Sequence, residues 1–308
     1  MSSSHEISPL LQSMIPLSPD HLIVETAHHR LDCSERPLLM GVLNVTPDSF
    51  FDGGLYQSPA DAVARAKQMV EEGVDIIDIG GESSRPGSEP ISENEELKRL
   101  VPVVEALHGL VPVPLSVDTT KSGVARRAIE AGAAIVNDIS AMTFDPDMAR
   151  VVAESGAGIV LMHMQGVPKT MQRAPRYGDV VREVQGFLAG RIEAACAAGI
   201  SRKRIILDPG IGFGKLLEHN LTLLAHLRTL TELARPLLVG ISRKGFIGQI
   251  LQRSACERLF GTAAAAAMAV QQGAAILRVH DVAAMRDVSR TVSAIMRHAE
   301  HISRGTHA

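Results

Sequence analysis

Polar side chains punctuate this sequence at the ends of short apolar runs, and their types suggest what they could bind. The runs end in Asn44, in Asp78 followed by Gly80-Gly81-Glu82, in Asp118, in Asn137-Asp138, in Met162-His163, in Asp208, in Ser242-Arg243-Lys244, and in Arg278 with His280. Asp118, Asn137 and Asp208 suit a neutral ring rich in N–H donors. A carboxylate accepts two parallel N–H bonds at once, which supplies orientation as well as energy. Lys244 could donate to a carbonyl of the same ring. Arg278 carries a planar fork that matches phosphate oxygens, and with His280 and Asn44 it suits an anion, alone or with a metal. Taken singly, each residue is more simply explained as a strand-end or turn residue, because Asp and Asn favour turns for backbone reasons. Asp208 precedes a proline, as many turn aspartates do. His280, without Arg278 beside it, would read as a helix cap. Eight polar ends in succession, carboxylates in one subset and cations in another, argue instead for two subsites at one mouth.

The elements that must position these residues alternate regularly from Pro37 onward. Apolar runs suited to strands buried on both faces cover residues 38–43, 75–79, 113–117, 134–137, 158–162, 204–207, 236–240 and 275–279. Helical periodicity fills 58–73, 93–108, 121–131, 145–155, 178–199, 217–232, 244–272 (broken near Ser254) and 281–302. Gly73, Gly132, Gly156, Gly199 and Gly273 close helices just before the next strand, as left-handed helix ends require. Eight similar βα units with no change of spacing predict a TIM (β/α)8 barrel with loops at the C-terminal face of its strands, in preference to an open doubly wound sheet. Residues 1–36 read as an N-terminal extension, with a short strand near Leu22-Ile23-Val24, and 37–308 as one barrel domain.

Composition narrows the function classes. The 308 residues carry 31 Lys+Arg against 34 Asp+Glu, a formal net charge of -3, which gives no reason to expect nucleic acid or an anionic membrane as partner. Cys33, Cys196 and Cys256 are odd in number and scattered, as reduced thiols in a cytosol would be. No run reaches the length of a membrane span, and the first residues show no basic region followed by an apolar one, so a cytoplasmic location is expected. No Trp is present and aromatic residues make up 3%, so the core must be aliphatic. Gly210-Ile211-Gly212-Phe213-Gly214 is a weak dinucleotide signal, and Lys215 lacks the spacing of a P-loop lysine. His163, inside an apolar run, reads as structural or as a support for residues that touch a ligand. No triad order calls for a Ser or Cys nucleophile.

The segment Asn44-Val45-Thr46-Pro47-Asp48-Ser49-Phe50, leading into Asp52-Gly53-Gly54, resembles the first signature of the dihydropteroate synthases. Further matches follow in order: Gly81-Glu82-Ser83-Ser84-Arg85-Pro86-Gly87, Ser116-Val117-Asp118-Thr119, Val136-Asn137-Asp138 and Leu161-Met162-His163-Met164-Gln165-Gly166. Then come Asp208 to Lys215, Ser242-Arg243-Lys244 and Arg278-Val279-His280-Asp281. The resemblance runs from about residue 38 to the C-terminus. It implies a homodimeric TIM barrel that uses Mg2+ to join a dihydropterin diphosphate to p-aminobenzoate, releasing pyrophosphate. It implies a pterin pocket of Asp118, Asn137, Met162, Asp208 and Lys244. It implies a diphosphate site of Asn44, Arg278 and His280, with Mg2+ held by Asn44, and a p-aminobenzoate pocket of Phe50, Ser84, Arg85, Pro86, Phe213, Lys244 and Gly245. Asp52, Lys244, Arg278 and His280 would act in catalysis, Asp52 as the electrostatic partner of the reacting pterin methylene. A single oxygen ligand is enough for Mg2+, which keeps waters and takes phosphate oxygens. Phe51, Ser84 and Gly245 depart from the residues most frequent in the family (Ser, Thr and Ser), which bears on affinity for p-aminobenzoate and sulfonamides and not on the reaction. Two rivals share the barrel: a pterin-binding methyltransferase module and a non-catalytic subunit. The cations Lys244, Arg278 and His280 speak against the first, and the retention of every matched position against the second.

Overall fold

Uninterrupted apolar runs form strands buried on both faces, and amphipathic runs form helices that cover the outer face. In the computed structural model, which describes residues 19–46 and 59–305, these two patterns alternate around a barrel. A hairpin of β1 (Ile23–Glu25) and β2 (Arg30–Asp32) comes first. The barrel strands are β3 (Leu38–Asn44), β4 (Ile76–Gly80), β5 (Leu115–Asp118), β6 (Ile135–Asp138), β7 (Gly158–Met162), β8 (Ile205–Asp208), β9 (Leu238–Gly240) and β10 (Ile276–Val279). Between and after them lie α1 (Pro59–Glu72), α2 (Glu93–Leu107), α3 (Ser122–Glu130), α4 (Met148–Ser155), α5 (Val180–Ala197), α6 (Leu217–Ala225), α7 (Leu227–Thr231), α8 (Gly245–Leu251), α9 (Leu259–Gln271) and α10 (Val282–Gly305). The eight parallel strands pair in the order β8-β7-β6-β5-β4-β3-β10-β9, and a parallel bridge between Leu207 and Leu237 brings the two ends of the sheet together. Each strand neighbours the next in the chain and the order never reverses, so the fold is the expected TIM-type barrel and not a doubly wound sheet.

Strand alternation divides the apolar residues into two cores. Leu39, Ile77, Val117, Val136, Ile159, Ile205, Val239 and Leu277 point outward and pack with the helices. Met40, Ile76, Ile135, Val160, Ile206, Leu238 and Ile276 belong to a separate cluster, the barrel interior, which they share with Val24, Leu31 and Cys33 from the hairpin region. The hairpin is therefore the floor of the barrel. Buried Arg235 fastens it: its Nε donates to the carbonyl of Ile205 (3.0 Å) and its Nη2 to that of Ile23 (2.9 Å). The short strand expected near Leu22-Val24 is present as β1. Its partner β2 had no comparable signal.

All five glycines expected to end helices have left-handed backbones, with φ of 91° at Gly73, 117° at Gly132, 75° at Gly156, 92° at Gly199 and 96° at Gly273. Two helices are more broken than their periodicity suggests. The 217–232 stretch splits at His226, whose φ of -115° and ψ of 23° leave the helical region. The 244–272 stretch becomes α8, a 3-10 turn at Ala255–Glu257, and α9, with Gln252 left-handed at φ 52°.

Candidate active site

One step further along four of the strands, the inward positions turn polar. The inward phase that places Ile76, Ile135, Ile206 and Ile276 in the interior puts Asp78, Asn137, Asp208 and Arg278 two residues later, facing the same space. Asp118 and Asn137 are register partners, as are Met162 and Asp208. Arg278 joins the layer: its Nε donates to Asp78 Oδ2 and its Nη2 to Asp118 Oδ2, each at 2.7 Å. Asn137 Nδ2 donates to the same Asp78 oxygen at 2.9 Å, while Asp78 Oδ1 has no hydrogen-bond partner among the described residues. Burial pushes the Asp118 carboxyl up to about 7 against the pull of Arg278, and Asp78 raises it further. Burial works against the Arg278 charge, but Asp78, Asp118 and Asp208 outweigh it and hold its pKa above the ordinary value.

The loop after β8 shapes a second wall. Asp208 Oδ1 accepts the amide of Gly210 at 2.7 Å, and burial raises its pKa while Lys244 opposes the rise. Gly210, Gly212 and Gly214 are all left-handed. A side chain at Gly210 or Gly214 would collide with the backbone carbonyl of His163 or Gln165. At the loop's centre is the buried Lys215 ammonium, which donates to the carbonyls of Gly210 and Phe213 at 3.0 Å and lies 2.9 Å from His163 Nδ1. Burial lowers the Lys215 pKa to about 7 and that of His163 to about 3. His163 thus serves the scaffold, edge-on to Phe187 at 4.9 Å, as its apolar run predicted. Lys244 reaches over from the loop after β9, donating to the Ile211 carbonyl at 2.5 Å with its ammonium 4.2 Å from the Phe213 ring centre. Burial brings its pKa down to about 8, although Asp208 holds it up.

A clamp aligns the cationic end. Arg243 is left-handed at φ 58° and grips Asp281 with Nε at 3.0 Å and Nη2 at 2.6 Å. This ties the loop that carries Lys244 to the loop that carries His280. Ser242 Oγ accepts the His280 amide at 3.2 Å and lies 3.0 Å from its Nδ1. Burial first, then the Arg243 and Arg278 charges, push the His280 pKa down to about 3, so the imidazole is neutral.

These groups open onto a cavity of about 670 Å³ bordered by Asn44, Ser84–Pro86, Asp118, Phe213, Lys244, Gly245, Arg278 and His280. The family model of the pterin binding enzymes matches residues 40–280. The dihydropteroate synthase of Escherichia coli is 50% identical over 268 residues, 86% of this chain and 94% of that one. A crystal structure of the Yersinia pestis dihydropteroate synthase with a sulfonamide drug complex superimposes with a TM-score of 0.86 at 46% identity, covering 89% of this chain and 99% of that one. The Xanthomonas albilineans dihydropteroate synthase with 4-aminobenzoic acid gives 0.83 at 46% identity, covering 89% and 98%.

The chain belongs to the dihydropteroate synthase family.

Of the synthase positions matched from sequence, those bordering the cavity are gathered at one mouth. Asn137, Met162 and Asp208 do not border it, and are buried in the strand-end layer beside it. Phe50, Phe51 and Asp52 lie outside the described residues. Among the described residues no group of three or more His, Cys, Asp or Glu side chains could hold a metal ion. Asn44 offers an amide oxygen at the cavity wall, which fits an ion such as Mg2+ that draws its other ligands from phosphate and water. Sequence reasoning named Asp78 only as a polar strand end and assigned Lys215 no role. Asp78 is the hub of the polar layer, and its signal was its inward phase. The signal for Lys215 was its place at the end of a run of left-handed glycines.

Proposed function

We propose that the chain condenses 6-hydroxymethyl-7,8-dihydropterin diphosphate with p-aminobenzoate to give 7,8-dihydropteroate and pyrophosphate. The observation that carries this reading is the juxtaposition, in one barrel mouth, of a buried carboxylate layer with Lys244, Arg278 and His280. Asp208 and Asp118, with Asn137 and Met162, hold the N–H-rich edge and face of the pterin, and Lys244 donates to its ring carbonyl. Arg278, already oriented through Nε and Nη2 by Asp78 and Asp118, has its Nη1 hydrogens for the diphosphate, and neutral His280 adds a donor. Mg2+ would be held by Asn44 and would neutralise charge on the leaving diphosphate. Ser84, Arg85, Pro86, Phe213, Lys244 and Gly245 form the p-aminobenzoate side, joined by Phe50. Asp52 steadies the pterin methylene as positive charge develops there.

In this reaction the methylene C–O bond breaks and its electron pair leaves with the diphosphate. The lone pair of the neutral aniline nitrogen then forms the C–N bond, and that nitrogen gives its proton to solvent or to pyrophosphate. The side chains contribute preorganised charge and exclusion of water, not a covalent nucleophile. A methyltransferase module would leave the cationic end without a substrate group to bind.

The protein would act as a homodimer in the cytoplasm, and residues 37–308 would form the pterin-binding domain, its floor closed by the hairpin of β1 and β2. In favour of self-association, Ile250, Leu251, Phe260, Met268 and Ile295 are exposed on α8, α9 and α10, Phe260 at 87%. No helix among the described residues is long and apolar enough to cross a membrane. The test is pyrophosphate release with both substrates and Mg2+. Release that requires both substrates supports the reading, and methyl transfer or complex formation without turnover contradicts it.

A further inference from the structure

The segment Ser83–Pro86 is a short span slung between two anchors, and the anchors differ in kind. At its far end, the Gly87 amide donates to the Pro168 carbonyl at 3.0 Å, and Glu89 pairs with Lys169 at 2.8 Å. Both side chains of that pair are more than half exposed, so it is held weakly. At its near end the attachment is largely buried, its side chains at most about a quarter exposed. Gly81 lies against α2 so closely that a Cβ would stand 3.2 Å from Glu96 Cγ, and Arg99 Nη1 donates to the Gly81 carbonyl at 3.3 Å. Glu82 then turns to the ammonium of Lys121, which also donates to Glu96 Oε2 at 2.6 Å. The Glu96 side chain is almost wholly buried. Lys121 belongs to the loop that leaves β5 immediately after Asp118, so one ammonium joins that loop, the first turn of α2 and the root of the span.

We propose that Lys121, acting through Glu82 and Glu96, is a positioning residue that sets Ser84, Arg85 and Pro86 against p-aminobenzoate. This rests on the functional reading above. Lys121 does not border the cavity of about 670 Å³ but an adjoining one of about 310 Å³, which Glu82, Ser83 and Ser84 also border, so its route to the p-aminobenzoate side runs through the span. The far anchor does not replace it, because one backbone hydrogen bond and a solvated ion pair fix only the far end and leave the root of the span free to shift. Asp118 is fixed separately by Arg278, so the pterin side keeps its geometry when the clamp is lost. The clamp therefore acts on one substrate and spares the other.

The experiment is steady-state kinetics by pyrophosphate release, varying each substrate in turn, on the unaltered chain and on Lys121→Met, Lys121→Arg and Glu82→Gln. The double variant Lys121→Met with Glu96→Gln removes the unpaired buried carboxylate that could impair folding of the single variant. The expected result is a KM for p-aminobenzoate raised about tenfold or more in the Met, Gln and double variants, with kcat and the KM for the pterin diphosphate within about threefold of the unaltered chain. Lys121→Arg, which keeps the charge and donors, should recover most of the affinity. Equal rises in both KM values, an unchanged KM for p-aminobenzoate in the folded double variant, or an Arg variant as impaired as Met would overturn the proposal. Absence of turnover by the unaltered chain would overturn the functional reading and this inference with it.

Discussion

The lower and upper halves of the barrel interior are built by the same strands with the same alternation, yet they hold opposite chemistry. Below, Met40, Ile76, Val160, Ile206, Leu238 and Ile276 pack against Val24 and Leu31 of the hairpin floor. Above stand Asp78, Asp118, Asn137 and Arg278, which hold one another through ion pairs and a hydrogen bond, with Asp208 buried beside them. The lower layer stabilises by removing apolar surface from water. The upper layer is costly, since buried ion pairs recover their desolvation only with good geometry. Site precision in this fold thus comes from polar groups that mutually constrain, mounted on an apolar plug that holds the strands in register.

The largest test of the contrast is Arg278→Ala. It removes the proposed diphosphate donor and leaves Asp78 and Asp118 without their cation. Turnover should fall at least about 10²-fold, the scale seen when one transition-state donor is lost, with circular dichroism used to confirm folding. Near-normal turnover would remove Arg278 from its role. Ile206→Ala, in the lower layer, should do the reverse. Denaturant unfolding should show a loss of about 2–5 kcal/mol, while kcat/KM of the remaining folded protein stays near that of the unaltered chain.

A smaller effect follows from Asp118, whose pKa is raised to about 7 from its ordinary 3.8 on folding, chiefly by burial. The folded chain binds the extra proton, so the stability from this group is full below the unfolded value and is lost as pH rises toward 7. Between pH 4 and 7 the unaltered chain should therefore lose stability more steeply than Asp118→Asn. Parallel urea midpoints across that range would show that the upper layer carries no such cost. Smallest of all should be Gly245→Ser, where an added Cβ meets nothing within 4 Å. Stability should stay within about 1 kcal/mol, and the KM for p-aminobenzoate should change by no more than about tenfold.

Much of this was legible in the sequence because it is written locally. Apolar runs, left-handed terminal glycines such as Gly132 and Gly273, and polar strand ends each depend on neighbours in the chain. The floor was not legible, because β1 and β2 gain their meaning only from the strand ends they cover. The break at His226 was hidden because apolar periodicity continues through it. Asp78 was visible as polar, but its bonds to Asn137 and Arg278 span 59 and 200 positions and exist only once the barrel closes. The Lys215 cage likewise depends on His163, 52 residues away.

The central claim is that the upper layer is a single substrate mouth. A crystal structure of the chain with the pterin diphosphate, p-aminobenzoate and Mg2+ tests it most directly. The account predicts the pterin N–H edge on Asp118 and Asp208, the diphosphate on Arg278, His280 and Asn44, and the arene between Phe213 and Ser84–Pro86. A pterin bound away from Asp118 and Asp208, or a diphosphate out of reach of Arg278, would contradict it.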